Sequence, residues 1–162
     1  DSLASGSLSD QWTNFAQEGS EVWESFDTGD DFGTAVRIGS FFSGDERTVA
    51  WLITPEIDFD AQEMETLTFE TSNSFADGSK LTLVYADDWN GNTANIDAAN
   101  WRPIFDGRIV SDDTFFEDWV ASGNIGLSCL EGTAHIAFKY VGSGDVDFDG
   151  TYELDNFQIN AQ

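Results

Sequence analysis

Basic side chains are scarce in this sequence. Arg37, Arg47, Lys80, Arg102, Arg108 and Lys139 are the six cations of a 162-residue chain that carries 31 acids, leaving a formal charge of −25. The acids run the whole length instead of gathering in a tail, so the surface as a whole is negative. Such a field repels a phosphate backbone and anionic lipid headgroups, because both recruit lysine and arginine. Nucleic acid is therefore excluded as a partner. Direct membrane insertion is excluded too, since no apolar run reaches spanning length. The acidity fits solubility in salty surroundings, or carboxylates gathered to hold cations.

Cysteine and histidine are almost missing. Cys129 stands alone, so no intrachain disulfide can form and stability must come from packing, with a metal as an optional addition. His135 is the one histidine, placed outward on a strand, and neither a nucleophile–base pair nor a zinc set can be assembled from these two residues. Paired carboxylates could run a glycosidase. With 31 acids, however, some pair always falls within the required ~5–10 Å, so their abundance carries no signal. Residues 1–9 lack the charged and apolar zones of a signal peptide and read as a disordered lead-in, with a single domain over 10–162. The chain reads as a mature or excised piece of a larger multidomain protein.

What the sequence does contain is a period of two. In Glu65 to Asn73, Leu67 and Phe69 alternate with Thr66, Thr68 and Glu70. In Ala134 to Tyr140, Ile136, Phe138 and Tyr140 alternate with His135 and Lys139. Both patterns make half-buried strands. Lys80 to Ala86 reads the same way, and further strands are expected over 21–26, 35–40, 49–54, 101–105, 124–129 and 152–159. Glycine, aspartate and serine clusters separate them as turns. One helical turn is expected over 95–100. Many short strands, 15 glycines and no amphipathic helix of ordinary length predict an all-β fold, a two-sheet antiparallel β-sandwich of jelly-roll type.

The sharpest local motif is Asp145-x-Asp147-x-Asp149-Gly150. Oxygens at alternating positions can converge on a calcium ion while glycine permits the sharp turn, and Glu153 or Asp155 could complete the set. The alternative is an acidic hairpin tip in which aspartate and glycine serve turn chemistry alone. Asp155 shares the parity of Phe157 and Ile159 and would be costly to bury unpaired. A metal, an arginine or a β-bulge that turns it outward would remove that cost.

Trp89 lies in Asp87-Asp88-Trp89-Asn90-Gly91-Asn92, a turn-forming loop. A flat ring beside Asp88 and Asn90 suits a sugar, whose C–H face stacks on the indole while its hydroxyls meet amide and carboxylate. Trp119 and Trp23, each flanked by acids, are further ligand-contact candidates, whereas Trp51 and Trp101 are assigned to packing.

Two segments resemble a known family. Ala50-Trp51-Leu52-Ile53-Thr54-Pro55-Glu56-Ile57-Asp58-Phe59 is similar to the W-L-I-[ST]-P-x-I-D signature of the choice-of-anchor J and cleaved-adhesin-like domains of Bacteroidetes secreted proteins. Ile136 to Gly142 followed by Thr151-Tyr152-Glu153-Leu154-Asp155-Asn156-Phe157-Gln158-Ile159 resembles that family's close. The resemblance covers residues 10 to 160. It implies a jelly roll related to MAM and galactose-binding-like sandwiches, attached to secreted enzymes, adhesins and glycan-capturing surface proteins, with a structural calcium. It further implies that Asp155 binds that calcium together with an N-terminal acid, Glu18 or Glu21.

The reading that results is a non-catalytic, secreted or cell-surface carbohydrate-binding domain, stabilised by calcium and taking a polysaccharide or oligosaccharide of neutral charge. A protein-binding adhesin or spacer domain is the alternative, and a small glycoside hydrolase the third. Fold alone does not choose among them.

Overall fold

The computed structural model describes residues 10–29, 33–61, 64–75, 78–111 and 118–161. The lead-in expected over residues 1–9 lies outside them. Twelve strands are present among the described residues: β1 (Thr13–Glu18), β2 (Glu24–Asp27), β3 (Thr34–Ile38), β4 (Thr48–Ile53), β5 (Ile57–Asp58), β6 (Thr66–Ser74), β7 (Lys80–Ala86), β8 (Arg102–Pro103), β9 (Val120–Ala121), β10 (Ile125–Gly126), β11 (Thr133–Gly142) and β12 (Thr151–Asn160). The first sheet runs β1-β4-β11-β7-β8 with β5 on β11, and the second runs β10-β6-β12-β3-β2 with β9 on β6. All pairings are antiparallel. This is the expected jelly-roll sandwich.

Alternation decides how the sheets stack. Ala134, Ile136, Phe138 and Tyr140 of β11 meet Leu67 and Phe69 of β6 and Leu154 and Phe157 of β12 in one core. Aromatic edges meet faces there, with Phe69 and Phe157 at 5.1 and 6.0 Å from Phe138, an arrangement that adds about 0.5–1.5 kcal/mol per pair beyond area burial. β4 is apolar on both faces because it is buried on both. Ala50 and Leu52 enter the main core, while Val49, Trp51 and Ile53 enter a second core with Val84, Ala86 and Ala137. The strap from β7 to β8 covers that second core with Trp89, Ile96 and Trp101. Its 3-10 helix spans Thr93–Ala98, two residues earlier than expected, because the Asn92 side chain caps it by accepting the Ala94 N–H.

β1 was not among the expected strands. Its polar positions hide the alternation: Asn14 bonds the Trp23 backbone at 2.7 and 3.1 Å, and Gln17 accepts from the Trp51 indole at 2.8 Å. A bulge between Ala16 and Glu18 breaks the period further. The strand expected over 21–26 starts only at Glu24, and those over 101–105 and 124–129 shrink to two residues each. In β12 the register shifts between Asp155 and Gln158, with Asn156 at φ 52°. Tyr152 and Leu154 before the shift and Phe157 after it therefore all reach the core.

Candidate functional site

The structure does not support an exposed tryptophan platform at Trp89. Its side chain is 6% exposed, donates to the Asn92 carbonyl at 3.2 Å, and packs against His135 at 4.8 Å and Trp101 at 5.9 Å. The loop wants an indole there as the cover of the second core, so neither face is free for a sugar. Asp88 accepts the Asn100 N–H at 2.8 Å and Asn90 the Asn92 N–H at 3.1 Å, so both shape the strap from exposed positions. Trp23 is 1% exposed and lies in the main core, 6.4 Å from Phe138. Its flanking acid, Glu24, opens the edge strand β2 and does not bring the indole outward. Trp119 is half-buried.

The aromatic surface is elsewhere. At one end of the sandwich the segments 39–47 and 143–150 and the described residues 75 and 78–79 are tied together. The Gly144 N–H donates to the Asp45 carbonyl at 2.8 Å, and the Gly78 N–H donates to the Asp147 carbonyl at 2.9 Å. Asp45 also accepts from the Ser20 N–H at 2.8 Å and the Thr48 hydroxyl at 2.9 Å, which binds the β1–β2 turn to the same end. The Ser20 N–H above all holds the Asp45 carboxyl below the ordinary carboxylate range. Phe41, Phe42, Phe75, Val146 and Phe148 project from these loops and are all exposed, Phe42 at 88%. The Phe41 and Phe42 rings lie 4.1 Å apart.

Two of these rings sit on strained backbone. Phe42 has φ 58° and Phe75 has φ 55°, a left-handed conformation that costs a residue with a side chain about 1–2 kcal/mol. Phe148 in turn lies against the bare face of Gly78, where any Cβ would collide with its ring and with the Asp147 carbonyl. Sequence reasoning missed this surface. Phe41-Phe42 between Gly39-Ser40 and Ser43-Gly44 meets the criterion that singled out Trp89, an aromatic in a turn-rich loop, and lacks only the indole.

The acids expected to hold calcium are dispersed. Glu18 pairs with Arg47 at 3.4 Å, and Glu21 accepts from the Ser20 hydroxyl at 3.1 Å, both at the loop end. Asp155 pairs opposite Glu70, is only 7% exposed, and accepts the Asn156 N–H at 2.7 Å. Burial first, with Glu70 adding to it, raises its carboxyl above the usual range against that hydrogen bond. Arg37 lies opposite Glu153 in the register of β12 and β3 and pairs with Glu24 at 2.7 Å. Asp145 and Asp147 are exposed on one turn, whereas Asp149 is buried. Among the described residues no three histidine, cysteine or acidic side chains converge closely enough to hold a metal ion. A side-chain cage is therefore not formed, either at Asp145–Asp149 or between Asp155 and Glu18 or Glu21.

Fold comparison places the chain among jelly-roll β-sandwiches found in adhesin and carbohydrate-binding domains. The K1 cleaved-adhesin domain of Lys-gingipain from Porphyromonas gingivalis superposes with a TM-score of 0.64 at 20% identity, over 100% of this chain and 96% of that one. TmCBM61, solved with β-1,4-galactotriose, gives 0.57 at 16% identity over 99% and 94%. The family 11 carbohydrate-binding module of Clostridium thermocellum, solved with a β-1,3-1,4-mixed-linked tetrasaccharide, gives 0.56 at 12% identity over 99% and 94%. No protein-family model and no curated protein matches the sequence.

Proposed function

We propose that the chain is a non-catalytic, extracellular glycan-binding domain that takes a neutral sugar chain on the phenylalanine-bearing loop end. The observation that carries this reading is the set of exposed rings, Phe41, Phe42, Phe75 and Phe148, on loops that hydrogen bonds hold in place. Phe42 and Phe75 present their rings from backbone at φ 58° and 55°, a local cost of the kind found where a surface serves a partner. Aromatic faces stack on the C–H faces of sugars, and Asp145 and Asp147 beside them can accept from hydroxyls. Two of the structures sharing the fold were solved with uncharged oligosaccharides. A net charge of −25 disfavours an acidic polymer.

The single histidine is spent on structure, since its Nδ1–H donates to the Thr54 carbonyl at 2.9 Å while its ring packs on Trp89. Calcium stabilisation stays within the proposal on the Asp145-x-Asp147-x-Asp149-Gly150 spacing and on the repulsion a divalent cation would relieve. Asp145 and Asp147 would hold the ion together with carbonyls of the turn. A screen of neutral β-glucans and galactans against alginate, with a reducing-sugar assay in parallel, tests the reading. Saturable binding of a neutral glycan without release of reducing ends is expected. Binding to no glycan would favour the adhesin or spacer reading, and release of reducing ends would make the domain a hydrolase.

A further inference from the structure

The strap that covers the second core contains a reactive pair. Of the asparagines in this chain only Asn90 is followed by glycine, so every other asparagine has a side chain beside the next peptide nitrogen. Asn90 and Gly91 are both exposed, between the buried Trp89 and the 3-10 helix over Thr93–Ala98. Gly91 stands at φ 78°, and the space where its Cβ would lie is open.

Three groups of this turn are placed for one reaction. The Gly91 N–H meets no acceptor among the described residues, so its nitrogen is free to lose the proton. The Asn90 Oδ1 accepts the Asn92 N–H at 3.1 Å, which polarises the carboxamide and stabilises an oxyanion formed there. The Asn90 side-chain nitrogen donates to no acceptor among the described residues, so nothing retains it as a leaving group.

We propose that Asn90 is this chain's site of spontaneous deamidation, and that isoaspartate formed there loosens the strap. The deprotonated Gly91 nitrogen attacks Asn90 Cγ, the Cγ–Nδ2 bond breaks, and its electron pair leaves with a proton as ammonia. Water then adds to one of the two carbonyls of the resulting succinimide. Breaking the nitrogen's bond to Cγ leaves aspartate, and breaking its bond to the main-chain carbonyl carbon leaves isoaspartate. One water enters, one ammonia departs, and nothing is oxidised.

Both products place a carboxylate beside Asp87 and Asp88. Isoaspartate also runs the main chain through Cβ and Cγ, which lengthens the turn and removes the side chain that accepts the Asn92 N–H. Asn92 holds the strap at two points, since its carbonyl accepts from the Trp89 indole at 3.2 Å and its side chain caps the helix at the Ala94 N–H at 3.0 Å. The cover that Trp89, Ile96 and Trp101 form over the second core therefore depends on an intact Asn90.

The test incubates the intact domain at neutral and mildly alkaline pH, beside the same chain unfolded in guanidinium chloride, with peptide mass mapping over time. Conversion, read as a mass gain of an oxygen in place of an NH, should concentrate at Asn90 and speed up with pH. It should run at least as fast in the native protein as in the unfolded chain. Gly91→Ala, which sets a methyl group beside the attacking nitrogen, should slow it about tenfold or more. The isoaspartyl fraction, separated by ion exchange, should melt below Asn90→Asp, which carries the same charge on a chain of normal length. Conversion spread over other asparagines, slower conversion in the native protein than in the unfolded chain, or equal melting of the isoaspartyl and Asn90→Asp forms would overturn the proposal. The native and unfolded arms use the unmodified sequence, so they decide the site even if Gly91→Ala folds poorly.

Discussion

The Tyr140 hydroxyl lies 2.8 Å from the Ser40 hydroxyl and donates to the Gly150 carbonyl at 2.7 Å, deep between the sheets. Ser40 passes the connection on to the Ser143 carbonyl at 2.7 Å. One buried phenol thus joins β11 to two of the loops that display the exposed phenylalanines. Burial is the first cause that pushes the Tyr140 hydroxyl up to about 12, with the neighbouring Ser40 side chain opposing it.

This shift sets an alkaline limit. The neutral phenol is favoured by the folded state, so its contribution is intact below the unfolded value of about 10 and is lost as pH rises towards 12. The loss is on the order of 2–3 kcal/mol. Tyr140→Phe should cost about 1–3 kcal/mol at neutral pH, because the Gly150 carbonyl loses its donor. It should also flatten the fall in stability between pH 10 and 12, and denaturant melts of both proteins across that range check it. An equal fall in the two would detach the limit from Tyr140.

Phe42 offers a separation of binding from stability. Phe42→Gly removes an exposed ring and relieves a positive φ, so the melting midpoint should hold or rise while glycan affinity drops about tenfold or more. Gly78→Ala should act in the opposite way, displacing Phe148 and the 143–150 loop at a cost in stability. Melting curves and glycan titrations on both variants read the two effects. Full glycan affinity in Phe42→Gly would move the binding surface off this end.

Trp89→Ala should behave as a core variant. It strips the cover from the second core and leaves a cavity against Trp101 and His135, a loss of about 3–5 kcal/mol. An unchanged melt would contradict the packing described for the strap.

Asp155 and calcium are tested together. Because its folded carboxyl is raised, Asp155 favours folding when protonated, below about 3.9, and opposes it once ionised. Asp155→Asn keeps an oxygen for the Asn156 N–H, so it should raise the melting midpoint at pH 7, with the gain shrinking as the pH falls into the acid range. Calcium held at the Asp145–Asp149 turn should add about 2.7 kcal/mol at 100 times its dissociation constant. That shift should survive Asp155→Asn and vanish in Asp145→Asn. Identical melts in chelator and in millimolar calcium would remove the ion from the proposal.

Sequence alone determined the sandwich. A period of two needs no tertiary context, because successive side chains of a strand face opposite ways, and Leu67/Phe69 and Ile136/Phe138/Tyr140 report that geometry directly. β1 escaped because Asn14 and Gln17 are polar residues whose partners, Trp23 and Trp51, lie outside the strand, the second 34 residues on. The bulge at Asn156 takes Asp155 out of the parity of Phe157 yet leaves it buried, an outcome that parity alone did not contain. Which aromatics are exposed was decided only by tertiary structure. Trp89 and Phe42 both occupy turn-rich loops, but the strap folds back over the outer face of the first sheet and buries one, while the β3–β4 loop has no sheet face to cover and leaves the other in solvent.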